Sequence, residues 1–226
     1  MKKIAIVIFG SPGSGKTTQA KLLAEHFNVI HFDTGRFLEG ILFDPERQSE
    51  KIIEKEKKIF KSGRLNTPSF VVSEIKKGIL KIWRAGFGII FSGSPRTLYE
   101  AQKEIPWLIK MYGKDNLFFI ELKLKEQEAL KRNSHRLICK FCGYTLLSQY
   151  FKIKNIKHCP VCGGTFYKRV LDNSKIIKIR FEEYKNRTEP IFNFIKQSGF
   201  KLHVIDARPA PYKIFNKIKK IINSKK

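Results

Sequence analysis

The stretch Gly10-Ser11-Pro12-Gly13-Ser14-Gly15-Lys16-Thr17 joins a short apolar run, 4–9, to a segment whose apolar residues have helical spacing. It has the form G-x-x-x-x-G-K-[ST], which between a strand and a helix indicates a phosphate-binding loop. The glycines let consecutive backbone N–H groups surround an anion, beside the positive end of the following helix. We therefore expect a nucleoside triphosphate here, with Lys16 on its β- and γ-phosphates and the Thr17 hydroxyl on Mg²⁺.

Downstream of the loop, short apolar runs alternate with amphipathic segments. The apolar runs are predicted to be strands, at 28–32, 89–91, 116–122 and 200–205. The amphipathic segments are predicted to be helices, at 46–60, 67–84, 97–111, 126–132, 174–197 and 212–222. Pro190 is expected to kink the helix at 174–197. This alternation predicts an α/β fold, a P-loop NTPase core with a parallel sheet flanked by helices.

The composition is strongly basic, with 45 Lys and Arg against 20 Asp and Glu and a formal charge of +25. A polyanion such as RNA would be one partner that explains this charge. The other explanation is a genome rich in A and T, because Lys, Ile, Asn and Phe are all abundant. The lysines are scattered and form no single block, which favours the second explanation.

The N-terminus faintly resembles a secretion signal, with Met1-Lys2-Lys3 before six apolar residues. The apolar part is too short and runs directly into the phosphate-binding loop, so we do not expect a signal peptide. No apolar run reaches the ~20 residues that span a bilayer. We therefore predict a cytoplasmic protein that does not bind membranes.

Four cysteines occur as two C-x₂-C pairs, Cys139 with Cys142 and Cys159 with Cys162. Sixteen residues separate the pairs, which is the spacing of four-cysteine zinc sites. Four thiolate ligands leave no open coordination position, so the predicted zinc is structural. Iron, or a site without metal, remains an alternative from the residues alone.

The order of these motifs resembles that of adenylate kinases. After the phosphate-binding loop come Thr34-Gly35, Gly63-Arg64-Leu65, Gly93-Ser94-Pro95-Arg96-Thr97, the cysteine pairs, Arg169 and Arg180. The likeness extends from about residue 4 to about residue 222 and is closest to the bacterial type with a zinc lid. It implies a P-loop core of residues 1–33, 67–134 and 172–226, an NMP-binding helical insert at 34–66 and a zinc-binding lid at 135–171.

The resemblance also implies an activity, the Mg²⁺-dependent transfer of the γ-phosphate of ATP to AMP, and roles for individual residues. The implied ATP-binding residues are Gly10, Gly13, Ser14, Gly15, Lys16, Thr17, Thr18, Arg132, Arg136 and Pro209. The implied AMP-binding residues are Thr34, Arg36, Arg64, Leu65, Asn66, Gly93, Arg96, Glu100, Arg169 and Arg180. The implied catalytic cations are Lys16, Arg96, Arg136, Arg169 and Arg180. Transfer between two nucleotides brings several negative charges together, so cations that close over the site suit this chemistry.

Four positions depart from the family pattern, mostly on the acceptor side. Arg36 stands where the family has Asp, and Glu39 stands where it has the Arg that grips the acceptor phosphate. Ser92 replaces an Asp that orders water around Mg²⁺, a role that Asp33 on a neighbouring strand could take. Glu100 replaces a Gln that reads adenine, and a carboxylate only accepts hydrogen bonds.

Two functional hypotheses follow. The first is a monomeric nucleoside monophosphate kinase that uses ATP and, as acceptor, AMP. The second is a P-loop ATP-binding protein descended from adenylate kinase, with a lost or altered acceptor and affinity for RNA. The altered acceptor side and the charge of +25 motivate the second hypothesis.

Overall fold

A five-stranded parallel sheet forms the centre of the molecule in the computed structural model, which describes residues 3–147, 156–168 and 170–224. In chain order the strands are β1 (Ala5–Gly10), β2 (Ile30–Phe32), β3 (Ile89–Phe91), β4 (Leu117–Lys123), β5 (Arg136–Cys139), β6 (Thr145–Leu147), β7 (Phe166–Tyr167) and β8 (Leu202–Asp206). The parallel sheet has the order β2-β3-β1-β4-β8, so β1 is its central strand. The predicted parallel α/β core is confirmed.

Strand β1 supplies side chains to both faces of the sheet. Ile4, Ile6 and Ile8 belong to the apolar core on one face, whereas Ala5, Val7 and Phe9 belong to the core on the other. Because both faces are covered by helices, the strand is apolar throughout instead of alternating with polar residues. The phosphate-binding loop therefore begins at the carboxyl end of the most deeply buried strand, where open α/β sheets bind their ligands.

The helices in the described part of the chain are α1 (Lys16–Phe27), α2 (Thr34–Leu42), α3 (Lys51–Lys61), α4 (Pro68–Arg84), α5 (Leu98–Tyr112), α6 (Glu126–Ser134), α7 (Ser174–Glu183), α8 (Pro190–Gln197) and α9 (Pro211–Asn223). Helices α1 and α9 cover one face of the sheet, and α4, α5 and α8 cover the other. Helix α9 buries Ile214, Ile218 and Ile222 against α1 and the sheet. Of the described helices, none is long and apolar enough to cross a membrane.

Helix α2 was not predicted, because Asp33 to Arg36 was interpreted as the end of a strand. Asp33 caps this helix by accepting the Arg36 backbone N–H at 3.2 Å. The next predicted helix, at 46–60, is wrong at its start, because α3 begins at Lys51. A short 3₁₀ turn at Pro45–Arg47 precedes it, and Arg47 binds Glu50 there.

The predicted single helix at 174–197 is interrupted before Pro190, not kinked at it. Helix α7 ends at Glu183, a π turn follows at Tyr184–Thr188, and α8 begins at Pro190. Proline has no N–H to donate and crowds the preceding turn, so the backbone widens before it. The Glu189 N–H donates instead to the Tyr184 carbonyl, five residues back, at 3.0 Å.

Two segments add no strand to the parallel sheet, although Leu38, Leu42 and Ile53 of the first pack into its core. Residues 34–66 contain α2 and α3 and connect β2 to α4. Strands β5 to β7 form a separate antiparallel sheet with the order β6-β5-β7, which carries the cysteine pairs. The roles of these two segments as a helical insert and a lid, which the resemblance implies, stay predictions.

Candidate active site

The phosphate-binding loop depends on glycines at positions where a side chain does not fit. Gly10, Gly13 and Gly15 have φ values of +149°, +82° and +89°, which favour glycine. A Cβ at Gly10 would lie 2.5 Å from Ser14 Oγ, and one at Gly13 would lie 2.6 Å from Asn133 Nδ2. The loop is therefore packed tightly against α6, and Gly15 leads directly into α1.

Lys16 folds back over this loop. Its ammonium group donates to the Gly10 carbonyl at 2.6 Å and to the Ser11 carbonyl at 2.9 Å. The ammonium therefore lies inside the concave surface that the motif predicts for phosphate groups.

Several cations converge on Lys16. Burial is the main reason that the pKa of Lys16 lies well below its ordinary value. Three positive side chains lower this pKa further, namely Arg96, Arg180 and Arg136, and the carboxylate of Asp33 acts in the opposite direction. A region that disfavours one more positive charge favours an anion such as a polyphosphate.

One continuous cleft contains most of the predicted site residues. One side, called the ATP side after its predicted ligand, contains the predicted ATP-binding residues Gly10, Gly13, Gly15, Lys16, Thr17, Thr18, Arg132 and Arg136. The other, called the acceptor side, contains the predicted AMP-binding residues Thr34, Arg36, Arg64, Leu65, Asn66, Gly93, Arg96, Glu100 and Arg180. Ser14 is buried within the loop, Pro209 lies outside the cleft lining, and Arg169 lies outside the described residues.

The arginines of the ATP side are held by protein groups. Arg136 forms a bidentate ion pair with Asp172, whose side chain is 4% exposed; its Nε donates to Oδ2 at 2.8 Å and its Nη2 to Oδ1. Arg132 donates to Glu128 at 2.9 Å, to the Ala207 carbonyl at 3.0 Å and to the Arg208 carbonyl at 3.3 Å. Arg132 thus ties α6 to the connection between β8 and α9, next to Pro209. The role of Arg132 in binding ATP, which the resemblance implies, stays a prediction.

On the acceptor side, Arg96 and Glu100 begin helix α5 together. Glu100 is 2% exposed, and its carboxylate accepts the Arg96 backbone N–H at 2.7 Å and the Thr97 hydroxyl at 3.0 Å. Thr97 Oγ1 accepts the Glu100 N–H in return at 3.3 Å and so caps the start of α5. Burial raises the pKa of Glu100, against the effect of these hydrogen bonds. Gly93 leaves room for Arg96, because a Cβ there would lie 2.9 Å from Nη2.

The departures from the family pattern occupy different places. Arg36 lines the cleft, and its guanidinium lies against Gly143 of the lid, 3.1 Å from where a Cβ would be. Glu39 is absent from the cleft lining within the described residues. Ser92 Oγ lies at the cleft floor, 2.7 Å from His31 Nε2. His31 is a residue that the sequence interpretation did not consider.

Other residues that the sequence interpretation missed line the same cleft. Glu183, Tyr184 and Thr188 come from the end of α7 and the π turn, and Asn133 comes from α6. None of them belongs to a motif of fixed spacing. The only signal near the first three was Pro190, which marked a break in the helix without showing its form.

The four cysteines form a metal-binding geometry. All four Sγ atoms lie within 4.8 Å of one another, with Cys139 and Cys162 at 3.4 Å and Cys142 and Cys159 at 3.7 Å. A zinc tetrahedron with bonds of about 2.3 Å has sulfur separations of about 3.8 Å, so this donor set fits zinc. Burial would raise the pKa of Cys139, but the backbone N–H groups of Cys142 and Phe141, together with the thiols of Cys162 and Cys142, lower it to about 6.

The cleft also offers donors for the magnesium that accompanies ATP. The Thr17 hydroxyl and the Asp33 carboxylate both line it near Lys16. Magnesium prefers oxygen ligands of this kind, so the residues present fit the ion. The cleft thus has a phosphate-binding loop, converging cations and oxygen donors for a metal ion. Phosphoryl transfer requires groups of these three kinds.

Comparison with known proteins agrees with this geometry. The family model described as adenylate kinase matches residues 8–200. The adenylate kinase of Elusimicrobium minutum is 32% identical over 222 residues, which cover 98% of this chain and 99% of the relative. That of Orientia tsutsugamushi (strain Ikeda) is 34% identical over 222 residues (96% of each chain), and that of Thermosipho africanus is 33% identical over 196 residues (86% of this chain and 88% of the relative). The chain therefore belongs to the adenylate kinase family of phosphotransferases.

Proposed function

We propose that this chain, a nucleoside monophosphate kinase, transfers the γ-phosphoryl group of ATP to AMP. One observation carries the proposal: a single cleft is lined by the phosphate-binding loop on one side and by Arg96, Arg180 and Leu65 on the other. Two nucleotides bound there would meet at the cations around Lys16. We also propose the division into core, insert and lid given above, with the lid closing the ATP side.

The residues of the chain would act mainly by binding and orientation. The loop N–H groups and Lys16 would hold the phosphates of ATP, and Arg96 those of the acceptor. Arg180 lines the same cleft, where its charge acts on Lys16, and would stabilise the charge on the transferred group. When bound, Mg²⁺ would neutralise part of the phosphate charge, with Thr17 and Asp33 as the nearest oxygen donors. The cysteine zinc would be structural and hold the lid that excludes water.

A coupled assay with ATP and each nucleoside monophosphate in turn tests the proposal. We expect ADP formation with AMP that exceeds the rates with CMP, UMP and GMP. Lys16→Ala should lower kcat at least about 100-fold, because it removes a cation made for the transferred phosphates. An enzyme that makes no ADP with any acceptor would contradict the kinase assignment. Faster turnover with another nucleoside monophosphate would keep the kinase assignment and replace AMP as the proposed acceptor.

The choice of acceptor base depends on the side chain of Glu100. Glu100 uses both carboxylate oxygens for the start of α5, through the Arg96 N–H and the Thr97 hydroxyl. An ionised Glu100 would favour guanine, which presents two donors, whereas a neutral Glu100 could donate to adenine. Burial raises the pKa of Glu100, against the hydrogen bonds and the positive charges that favour its ionised form. Measuring kcat/KM for AMP and for GMP at one pH, in wild type and in Glu100→Gln, distinguishes these cases.

A further inference from the structure

The segment Glu183–Thr188 contacts the two backbone segments that line the acceptor side of the cleft. It begins at the last residue of α7 and contains the π turn. Glu183, Tyr184 and Thr188 line the cleft directly. The first and the last of these residues each make one hydrogen bond to the acceptor side.

The first hydrogen bond holds the loop that contains Leu65. The Leu65 backbone N–H donates to Glu183 Oε2 at 3.3 Å, and Arg187 Nη1 donates to the same oxygen at 3.1 Å. The side chain of Glu183 is 18% exposed, so water competes little for it. Gly63, two residues earlier, packs directly on α7, because a Cβ there would lie 2.5 Å from Ile176 Cγ2. The loop therefore rests on α7.

The second hydrogen bond holds the turn that contains Arg96. The Thr188 hydroxyl donates to the Arg96 carbonyl at 2.9 Å, and Thr188 is 5% exposed. The backbone of Arg96 is held on its other side by Glu100, which accepts its N–H. Both backbone groups of Arg96 are thus engaged by buried side chains.

The π turn is what allows one helix to make both contacts. In an α-helix, residues five apart differ by about 140° around the axis, so Glu183 and Thr188 would face different directions. In a π turn, a backbone N–H bonds to the carbonyl five residues back, and residues five apart therefore lie close to the same face. The hydrogen bond from the Glu189 N–H to the Tyr184 carbonyl is such a ring. Both side chains can therefore point to the acceptor side.

We propose that Glu183 and Thr188 are positioning residues for the acceptor nucleotide: together they fix the loop at 63–66 and the turn at Arg96 relative to each other. They act through the backbone of other residues and not on the reacting atoms. The inference rests on the proposed function, because it takes this side of the cleft as the acceptor site.

Glu183→Ala tests the first contact, with Glu182→Ala as its matched control. Glu182 is the exposed preceding residue, so its substitution removes the same charge without the contact to Leu65. We expect Glu183→Ala to raise the KM for AMP about tenfold, as the loss of one hydrogen bond to a charged group allows, and to leave the KM for ATP unchanged. Glu183→Gln keeps an acceptor oxygen and should stay within about threefold of wild type.

Hydrogen exchange of the Leu65 amide gives a readout that does not depend on activity. Its exchange should be faster in Glu183→Ala, and close to wild type in Glu182→Ala and Glu183→Gln. For the second contact, Thr188→Val removes the hydroxyl and should raise the KM for AMP. Thr188→Ser keeps the hydroxyl and should leave this KM close to that of wild type. The inference would be overturned if the Leu65 amide exchanged at the wild-type rate in Glu183→Ala. It would also be overturned if Glu183→Gln and Glu183→Ala raised the KM for AMP equally. A wild-type protein inactive with every monophosphate would instead refute the proposed function, and the exchange result would still decide whether the contact exists.

Discussion

At the scale of single residues, Glu104 is a buried carboxyl group behind the acceptor side of the cleft. It is 0% exposed, and its Oε1 accepts the Ser94 hydroxyl at 2.6 Å. Burial, and then the charge of Glu100, raise the pKa of Glu104 well above its ordinary value, against the effect of Ser94. The folded protein therefore keeps a proton that the unfolded chain releases.

This proton makes stability depend on pH. A raised carboxyl pKa contributes stability that is fully present below the unfolded pKa and is lost as the pH rises through the folded pKa. Glu104→Gln keeps the shape of the side chain but cannot ionise. We expect the Tm of wild type to fall relative to that of Glu104→Gln as the pH rises above the ordinary range of a carboxyl pKa, about 4.3. Glu182→Gln, at an exposed site, is the control, and a pH-independent difference for Glu104→Gln would contradict the prediction.

Residue identity was predictable from the sequence where a motif fixes both type and spacing. Lys16 and Arg96 stand in such motifs, and both line the predicted cleft. Arg132 shows the limit, because its partners are the carbonyls of Ala207 and Arg208, about 75 positions away in the chain. No local pattern reports a contact across that distance. Thr188 was hidden for a similar reason, since only the π turn aims it at Arg96.

At the scale of elements, the packing of the loop at 63–66 on α7 can be measured with two glycines. Gly63 and Gly86 have nearly the same φ, +82° and +85°. A Cβ at Gly63 would lie 2.5 Å from Ile176 Cγ2, whereas one at Gly86 would meet nothing within 4 Å. The two positions thus share the conformational cost of a side chain and differ in the contact.

We expect Gly86→Ala to lower the free energy of unfolding by about 1 kcal/mol, from backbone strain alone. Gly63→Ala should lower it by about 2 to 4 kcal/mol, because the added methyl group must also displace α7 or the loop. Urea denaturation of both variants measures the difference. Equal values would mean that the loop moves away from α7 at no cost.

The small sheet of β5, β6 and β7 gives the second prediction at this scale. It has few apolar residues to bury, so a metal bound to the four cysteines would hold it together. We expect about one zinc per chain in purified protein, and removal of the metal with a strong chelator should add an early unfolding step. Calorimetry would show that step, and added zinc should reverse it. Protein that holds far less than one zinc without loss of stability would contradict this.

Elements were predictable where hydrophobic periodicity was uninterrupted, as in β4 and α4. Helix α2 was missed although Asp33 is a good N-cap and Phe37, Leu38, Ile41 and Leu42 have helical spacing. Gly35 and Gly40 within it lower the local helix propensity, and its first residues follow the strand at 28–32 directly, so they were interpreted as the end of that strand. Packing of Leu38 and Leu42 into the core outweighs that cost.

At the scale of the whole molecule, the charge of +25 raises the question of RNA. Apart from the cations of the cleft, exposed basic residues are spread over the surfaces of α3, α4, α5 and α9. Scattered charge supports weak, non-specific attraction that falls steeply with salt. We expect single-stranded RNA to be retained at about 0.05 M salt and released by about 0.2 M. Fluorescence anisotropy measures this, and tight binding at the higher salt would favour the RNA-binding hypothesis.

The resting position of Lys16 has a consequence for substrate choice. The carbonyls of Gly10 and Ser11 engage two of the three N–H donors of its ammonium group, so an arriving ligand must replace these partners to gain more than one hydrogen bond. The loop carbonyls thus compete weakly with an arriving phosphate group for the ammonium of Lys16. A single inorganic phosphate has little to offer in this exchange, whereas a triphosphate with metal brings several contacts at once. Self-occupancy of this kind filters ligands by the number of phosphates they carry.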